Sequence, residues 1–368
     1  MSERIVNFSA GPAAIPEAVL LEAQKDLFNY KGSGLSIMEM SHRSKAYDAV
    51  HQAAISNLTQ LLNIPDNYSV LFLQGGASHQ FAMLPMNLIQ NNESVDMIHT
   101  GSWTKKAIGE LKKGYNYQIV ASNEDENHLK LPDLDNVQFN ENTAYTFMCS
   151  NNTIFGTQFK TFPSHAKSPL VVDMSSEILS RELNINDFGV IFAGAQKNIG
   201  PSGVTVVIIR NDLLERSPES IPVYFNYQNH AKANSLYNTP PTFGIYIASL
   251  VFKRLLDNGG LSAQEKRNNE KAAILYDAID SSDILYCPIP EKDRSAMNVV
   301  FRHKDHDETL EKQLISEAKA AGFDGIKGHR SVGGLRASTY NAQTKENIEK
   351  FAGFIAEFSK KSVSVSAV

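Results

Sequence analysis

A series of short apolar runs, each too short for a buried helix and each closed by a turn, constrains this chain more than any other feature. Residues 70–73 (Val-Leu-Phe-Leu) stop at Gln74-Gly75-Gly76, and a helical pattern begins after Ala77. Residues 95–98 give way to Thr100-Gly101 before a second helical pattern over 103–113. Four further runs lie at 145–149, 170–172, 190–193 and 204–209. A strand covered on both faces has no polar side to show, so continuous apolar runs alternating with helices predict a mostly parallel sheet between two helical layers.

The pattern changes after a helical stretch at 242–256, which Asp257-Asn258-Gly259-Gly260 stops. Helical segments at 262–279, 309–321 and 344–358 follow, with short strands near Val299 and Leu335. The first forty residues show no sheet of their own. The expectation is a large α/β domain over 16–257 and a smaller one built from 1–15 and 258–368. The alternating tail from Ser362 is expected to fray.

Composition excludes several classes. The formal net charge of the 368 residues is −5, and basic residues gather only in pairs such as Lys105-Lys106 and Lys112-Lys113. Nothing there tracks a phosphate backbone, so no nucleic-acid partner is expected. Two cysteines, Cys149 and Cys287, form no CxxC pair, which points away from a disulfide framework or a metal centre and toward a reducing, cytoplasmic compartment. The longest apolar runs fall far short of the ~20 residues of a membrane span, and no signal-like stretch follows Met1-Ser2-Glu3-Arg4.

In an open parallel sheet, ligands bind beyond the carboxyl ends of the strands. Gly75-Gly76-Ala77-Ser78 occupies such a place and opens a helix, which suits a phosphate, although a tight turn alone explains it equally. Neither GxxxxGK[ST] nor GxGxxG is present there. Asp173 ends one strand, and Lys197, 24 residues on, follows the next. The two residues fit a salt bridge on the sheet rim. They also fit a pyridoxal phosphate site, in which the lysine amine condenses with the cofactor aldehyde and the carboxylate keeps the pyridine nitrogen protonated. Trp103, the single tryptophan, could cover that ring or fill the core.

The string Ala193-Gly194-Ala195-Gln196-Lys197-Asn198-Ile199-Gly200-Pro201 resembles the lysine motif of the phosphoserine aminotransferases, fold type I pyridoxal phosphate enzymes. The resemblance continues through Asn7-Phe8-Ser9-Ala10-Gly11-Pro12, Ser41-His42-Arg43-Ser44, Gln74 to Ser78, Thr100-Gly101-Ser102-Trp103, Asp173-Met174-Ser175-Ser176, Tyr237-Asn238-Thr239-Pro240-Pro241 and the stretch from Gly328 to Ser338. It implies the aspartate aminotransferase-like fold, with a seven-stranded sheet in the large domain. Lys197 should bind the cofactor covalently, Asp173 pair with its ring nitrogen, Trp103 stack on the ring and Thr153 bond its phenolic oxygen. Gly76, Ala77 and Gln196 should hold the cofactor phosphate, completed by Asn238 and Thr239 from the other subunit of a homodimer. Arg336 should grip the substrate α-carboxylate, and His42, Arg43, His329 and Arg330 its distal anion. The implied reaction exchanges an amino group between L-glutamate and 3-phosphohydroxypyruvate. In bacterial members a phosphorylated four-carbon 2-oxo acid of pyridoxine synthesis is also taken. The alternatives are a transaminase using alanine or serine with glyoxylate, and a catalytically silent relative. The chain departs from the family pattern at Asn152, where glutamate is frequent, and at 223–232, which carries no family landmark.

Overall fold

The computed structural model describes residues 4–366, with side chains described as far as Ser362. Its main sheet has seven strands: β1 (Tyr68–Gly75), β2 (Ser94–His99), β3 (Asn116–Ser122), β4 (Thr143–Cys149), β5 (Leu170–Asp173), β6 (Val190–Gly194) and β7 (Gly203–Arg210). They lie in the order β1-β7-β6-β5-β4-β2-β3. All run parallel except β7, which is antiparallel to both neighbours. The principal helices are α1 (Glu17–Phe28), α2 (Lys45–Leu62), α3 (Ala77–Leu88), α4 (Ser102–Leu111), α5 (Thr242–Asp257), α6 (Gly260–Asp280), α7 (Glu308–Ala320) and α8 (Lys345–Ser366).

The continuous apolar run of β7 is explained by its two covered faces. Val206 and Ile208 enter one core with Leu58 and Phe252, while Val207 and Ile209 enter the other with Phe81 and Leu84. All four β7 side chains are fully buried. Successive side chains point to opposite faces, so only an unbroken apolar string satisfies both. β3, at one edge of the sheet, went unread in the sequence. None of its residues is buried, so no apolar run marks it.

A separate three-stranded antiparallel sheet follows: β8 (Leu285–Tyr286), β9 (Asn298–His303) and β10 (Leu335–Ser338). Leu275, Phe301, Leu314, Phe351 and Ile355 bury a third core there, with Phe8 reaching in from the first residues. The strand Val6–Asn7 pairs in parallel with Phe323–Asp324. From α1 onward the chain leaves this core: Val19, Ala23 and Ile37 pack with the main sheet. Gly259 and Gly260 both sit at positive φ (+92° and +68°) between α5 and α6, which is why glycines occupy that turn. The segment expected to fray continues α8 as far as Ser366, and Ala367 and Val368 lie outside the described residues.

The topology brings the carboxyl ends of β1, β2, β4, β5 and β6 to one edge. Register places Cys149 beside Asp173, and Asp173 beside Phe192.

Candidate active site

After β6 the chain closes a tight turn on Ala195, whose carbonyl accepts from the amides of Ile199 and Gly200 at 3.2 and 2.7 Å. The turn presents Lys197, half-buried, to the sheet edge. Its Nζ donates to Thr153 Oγ1 at 2.6 Å and lies 5.3 Å from the centre of the Trp103 ring. Burial lowers the Lys197 pKa and the Arg336 charge adds to this, while the negative charge of Asp173 opposes it. Asp173 is 3% exposed. Its Oδ1 accepts from Ser175 N (2.9 Å) and Ser175 Oγ (2.6 Å), and among the described residues Oδ2 accepts no hydrogen bond. Burial raises its pKa, and the Lys197 charge and the Ser175 bonds pull it back.

Trp103 stands in the first turn of α4. Gly101, just before that helix, has φ +151°, and a Cβ there would meet the Phe155 ring at 2.9 Å, so only glycine lets the turn form. Trp103 Nε1 is buried with no hydrogen-bond partner. Gly76 and Ala77 open α3, whose first amides face the same strand edge. Gln196 lies half-buried in the lysine turn, its carbonyl accepting from Ala13 N at 2.8 Å. Asn238 and Thr239 lie at the surface beside the end of β1: Gln74 Nε2 donates to Thr239 O at 3.0 Å, and Asn238 Nδ2 donates to Gln74 Oε1 at 3.4 Å.

Arg336 projects from β10 and so comes from the smaller sheet. Its Nη1 donates to the Thr153 carbonyl at 3.2 Å, while Nε is buried without a partner. Among the described residues this guanidinium makes no ion pair. Arg336 and His329 line a cavity of about 540 Å³ that Phe155, Arg302 and Gly101 also border. Burial, reinforced by the charges of Arg336, Arg330 and Lys106, lowers the His329 pKa, so these cations crowd one region. Arg330 is exposed beside it. His42 and Arg43 lie on the turn that precedes α2, and among the described residues neither side chain bonds to the Lys197 group.

Two residues, Ser175 and Lys106, escaped the sequence reading, and the departure at Asn152 is explained. Ser175 bridges the strand ends by accepting from Gly194 N at 3.0 Å while holding Asp173, and its signal was the Asp-x-Ser spacing after a strand. Lys106 lies 4.6 Å from the Trp103 ring centre, three residues on along α4. Asn152 turns out to brace its own loop, donating to Thr157 Oγ1 at 3.0 Å and accepting from Thr100 Oγ1 at 3.3 Å.

The site thus joins a neutralisable amine, a buried carboxylate, a flat aromatic face, helix-end amides and an unpaired guanidinium. The family model for class V aminotransferases matches residues 5–351. A phosphoserine aminotransferase of Geobacillus kaustophilus is 53% identical over 360 residues, covering 98% of this chain and 99% of its own. The structure of phosphoserine aminotransferase from Bacillus circulans subsp. alkalophilus superposes with a TM-score of 0.95 at 48% identity, over 98% of this chain and 100% of that one. The phosphoserine aminotransferase from Trichomonas vaginalis, solved with pyridoxal phosphate bound, gives 0.92 at 40% identity over 96% and 99%. With its sheet order, lysine turn and unpaired arginine in the same arrangement as the sequence motifs, the chain belongs to the class V aminotransferases and, within them, to the phosphoserine aminotransferase family.

Proposed function

We propose that the protein exchanges an amino group between L-glutamate and 3-phosphohydroxypyruvate, giving 2-oxoglutarate and O-phospho-L-serine, with pyridoxal 5'-phosphate as its cofactor. The observation that carries this is the grouping of Lys197, Asp173, Thr153 and Trp103 at one sheet edge, with the unpaired guanidinium of Arg336 beside them. The residues fit the cofactor: an amine close to an aromatic face, a carboxylate whose Oδ2 is left for a ring N–H, and helix-end amides for a phosphate. When bound, the cofactor supplies an aldehyde for an amino group and a ring that takes up electrons released at Cα.

Each side chain then has a task. Lys197 anchors the aldehyde and, once displaced, holds and returns the proton at the substrate Cα, a task that its lowered pKa favours. Asp173, fixed by Ser175, keeps the ring nitrogen protonated. Trp103 covers the ring and Thr153 bonds its phenolic oxygen. Gly76, Ala77 and Gln196 receive the phosphate. Arg336 takes the α-carboxylate through two parallel N–H bonds, which lysine cannot copy. His329 and Arg330 receive the distal anion, a phosphate or a γ-carboxylate, together with His42 and Arg43.

Asn238 and Thr239 are offered to the active site of a second copy. Leu21, Leu27, Phe28, Leu35 and Met38 support a homodimer: they leave an apolar surface on and after α1, with Phe28 90% exposed. The working domains are 16–257 and the pair 1–15 with 258–368. Among the described residues no helix is long and apolar enough to cross a membrane, and a cytoplasmic setting suits the two unpaired cysteines. The same anion pocket serves the phosphorylated four-carbon 2-oxo acid of pyridoxine synthesis. The test is the visible spectrum of the cofactor-loaded protein on adding O-phospho-L-serine, with L-alanine as control. Conversion by phosphoserine and little by alanine supports the reading. Equal conversion by alanine removes the distal-anion pocket from it.

A further inference from the structure

Outside the residues assigned above, His99, Glu124 and His128 gather beside the same cavity, which Glu124 and His128 line. One ligating atom from each lies within 4.8 Å of those of the other two. They come from adjacent strand ends: His99 closes β2, while Glu124 and His128 follow β3, its parallel neighbour. Two successive left-handed residues, Asn127 and His128, turn the chain back so that the imidazoles meet edge to face at 4.8 Å. We propose that this trio is a site for a single divalent cation of the zinc class, with three protein donors and a fourth position open to the cavity.

The second imidazole supplies an observation independent of the clustering. His128 is 8% exposed, and its Nδ1 is buried with no hydrogen-bond partner. Such an atom is costly to leave unsatisfied, and a metal ion satisfies it. His99 is oriented by a neighbour, as metal-bound histidines are: its Nδ1 lies 2.8 Å from Thr104 Oγ1. Thr104 Oγ1 is itself fixed by the amides of Thr100 and Gly101, which donate to it at 3.1 and 3.2 Å, so the contact at Nδ1 holds the His99 ring with Nε2 turned toward Glu124. That Nε2 lies 3.7 Å from Glu124 Oε2. Tetrahedral zinc with bonds of about 2.0–2.2 Å needs donors roughly 3.3 Å apart. The remaining closure falls on Glu124, whose side chain is 55% exposed and whose present partner is the exposed Lys105. Two imidazoles and one carboxylate with an open position is a donor set that zinc accepts.

The site stands apart from the transamination reading, and its test needs no turnover. Untagged full-length protein is titrated with Co²⁺, whose ligand-field bands report tetrahedral nitrogen and oxygen donors, and then with Zn²⁺ in competition. The expected result is one Co²⁺ per chain, displaced by Zn²⁺. Glu124→Gln, at an exposed position that leaves the fold intact, should weaken binding roughly tenfold or more, and His128→Gln should abolish the bands. Metal held by the cofactor or by another surface group survives both substitutions. Titrations of Glu124→Gln and His128→Gln that match wild type therefore overturn the proposal, as does the absence of ligand-field bands in the wild type.

Discussion

Lys197 sits where an ammonium is hard to keep. Burial and Arg336 disfavour its charged form, Asp173 restores part of it, and Thr153 Oγ1 fixes its direction at 2.6 Å. Replacing it should remove both the attachment point and the base. Lys197→Ala should lower transamination by about 10²–10⁴-fold or more, and borohydride should no longer fix cofactor to the chain. Retention of wild-type turnover would remove Lys197 from the chemistry. Arg336 offers a finer test because lysine keeps its charge and loses its fork. Hydrogen bonds to charged groups contribute about 1.5–3 kcal/mol. Arg336→Lys should therefore raise KM for both L-glutamate and the keto acid by about 10–100-fold, with cofactor binding unchanged. Loss of cofactor in that variant would place Arg336 in the cofactor cradle. Both residues could be named from motifs. Ser175, which holds Asp173, could not, because a short polar side chain acquires such a role only through distances set by the fold; Asn152 was marked as a departure, and the fold shows how it braces the Thr153 loop.

At the scale of elements, the loop that leaves β10 is held by one buried amine. Lys271, on α6, is 1% exposed and donates to the carbonyls of Thr339, Tyr340 and Gln343 at 2.9, 2.9 and 3.1 Å. Arg336 lies three residues before the first of these, so α6 helps fix the substrate arginine from behind. Burial, with Arg267 nearby, pushes Lys271 down from its ordinary value of 10.5 to about 7. Between those two values the unfolded chain carries more protons than the folded one, so this residue makes stability rise with pH across that window. Below it, both states are protonated and the slope vanishes. Lys271→Met should cost about 2–4 kcal/mol by stranding the carbonyls, and should flatten the rise seen in denaturant unfolding at successive pH values. An unchanged pH dependence would show that the wild-type amine stays charged throughout. The mid-sheet strands were legible because burial on both faces forces continuous apolar strings. The edge strand β3 and the direction of β7 were not: one is half solvated, and the other depends on how Gly200 to Gly203 turns the chain.

For the whole molecule, the surface around α1 is the least satisfied feature of a single chain. Phe28, Met38 and Leu35 are each half exposed or more, a pattern that suits a second copy. Phe28→Asp, at a side chain with little of its surface covered by its own chain, should leave the fold intact and shift sedimentation from dimer to monomer. If Asn238 and Thr239 complete the neighbouring site as proposed, cofactor retention should fall with it. A monomeric variant with full activity would mean that each chain is self-sufficient. The two sheets also divide the labour: the main sheet edge carries Lys197, Asp173 and Trp103, while β10 brings Arg336 across to Thr153. Arg336 and Lys197, the residues proposed for substrate and cofactor, thus stand on different layers.

The sequence by itself determined the α/β architecture, the lysine turn and the candidate residues. Strand burial and turn chemistry are local constraints, and each writes its own pattern into the chain. Tertiary structure alone decided which of those residues meet. His329 and Arg336 line one cavity, His42 and Arg43 are not among its lining residues, and His99 closes on Glu124 and His128 across two strands. Such meetings depend on sheet order and on φ angles at a few turns, and no spacing along the sequence encodes distances between strands.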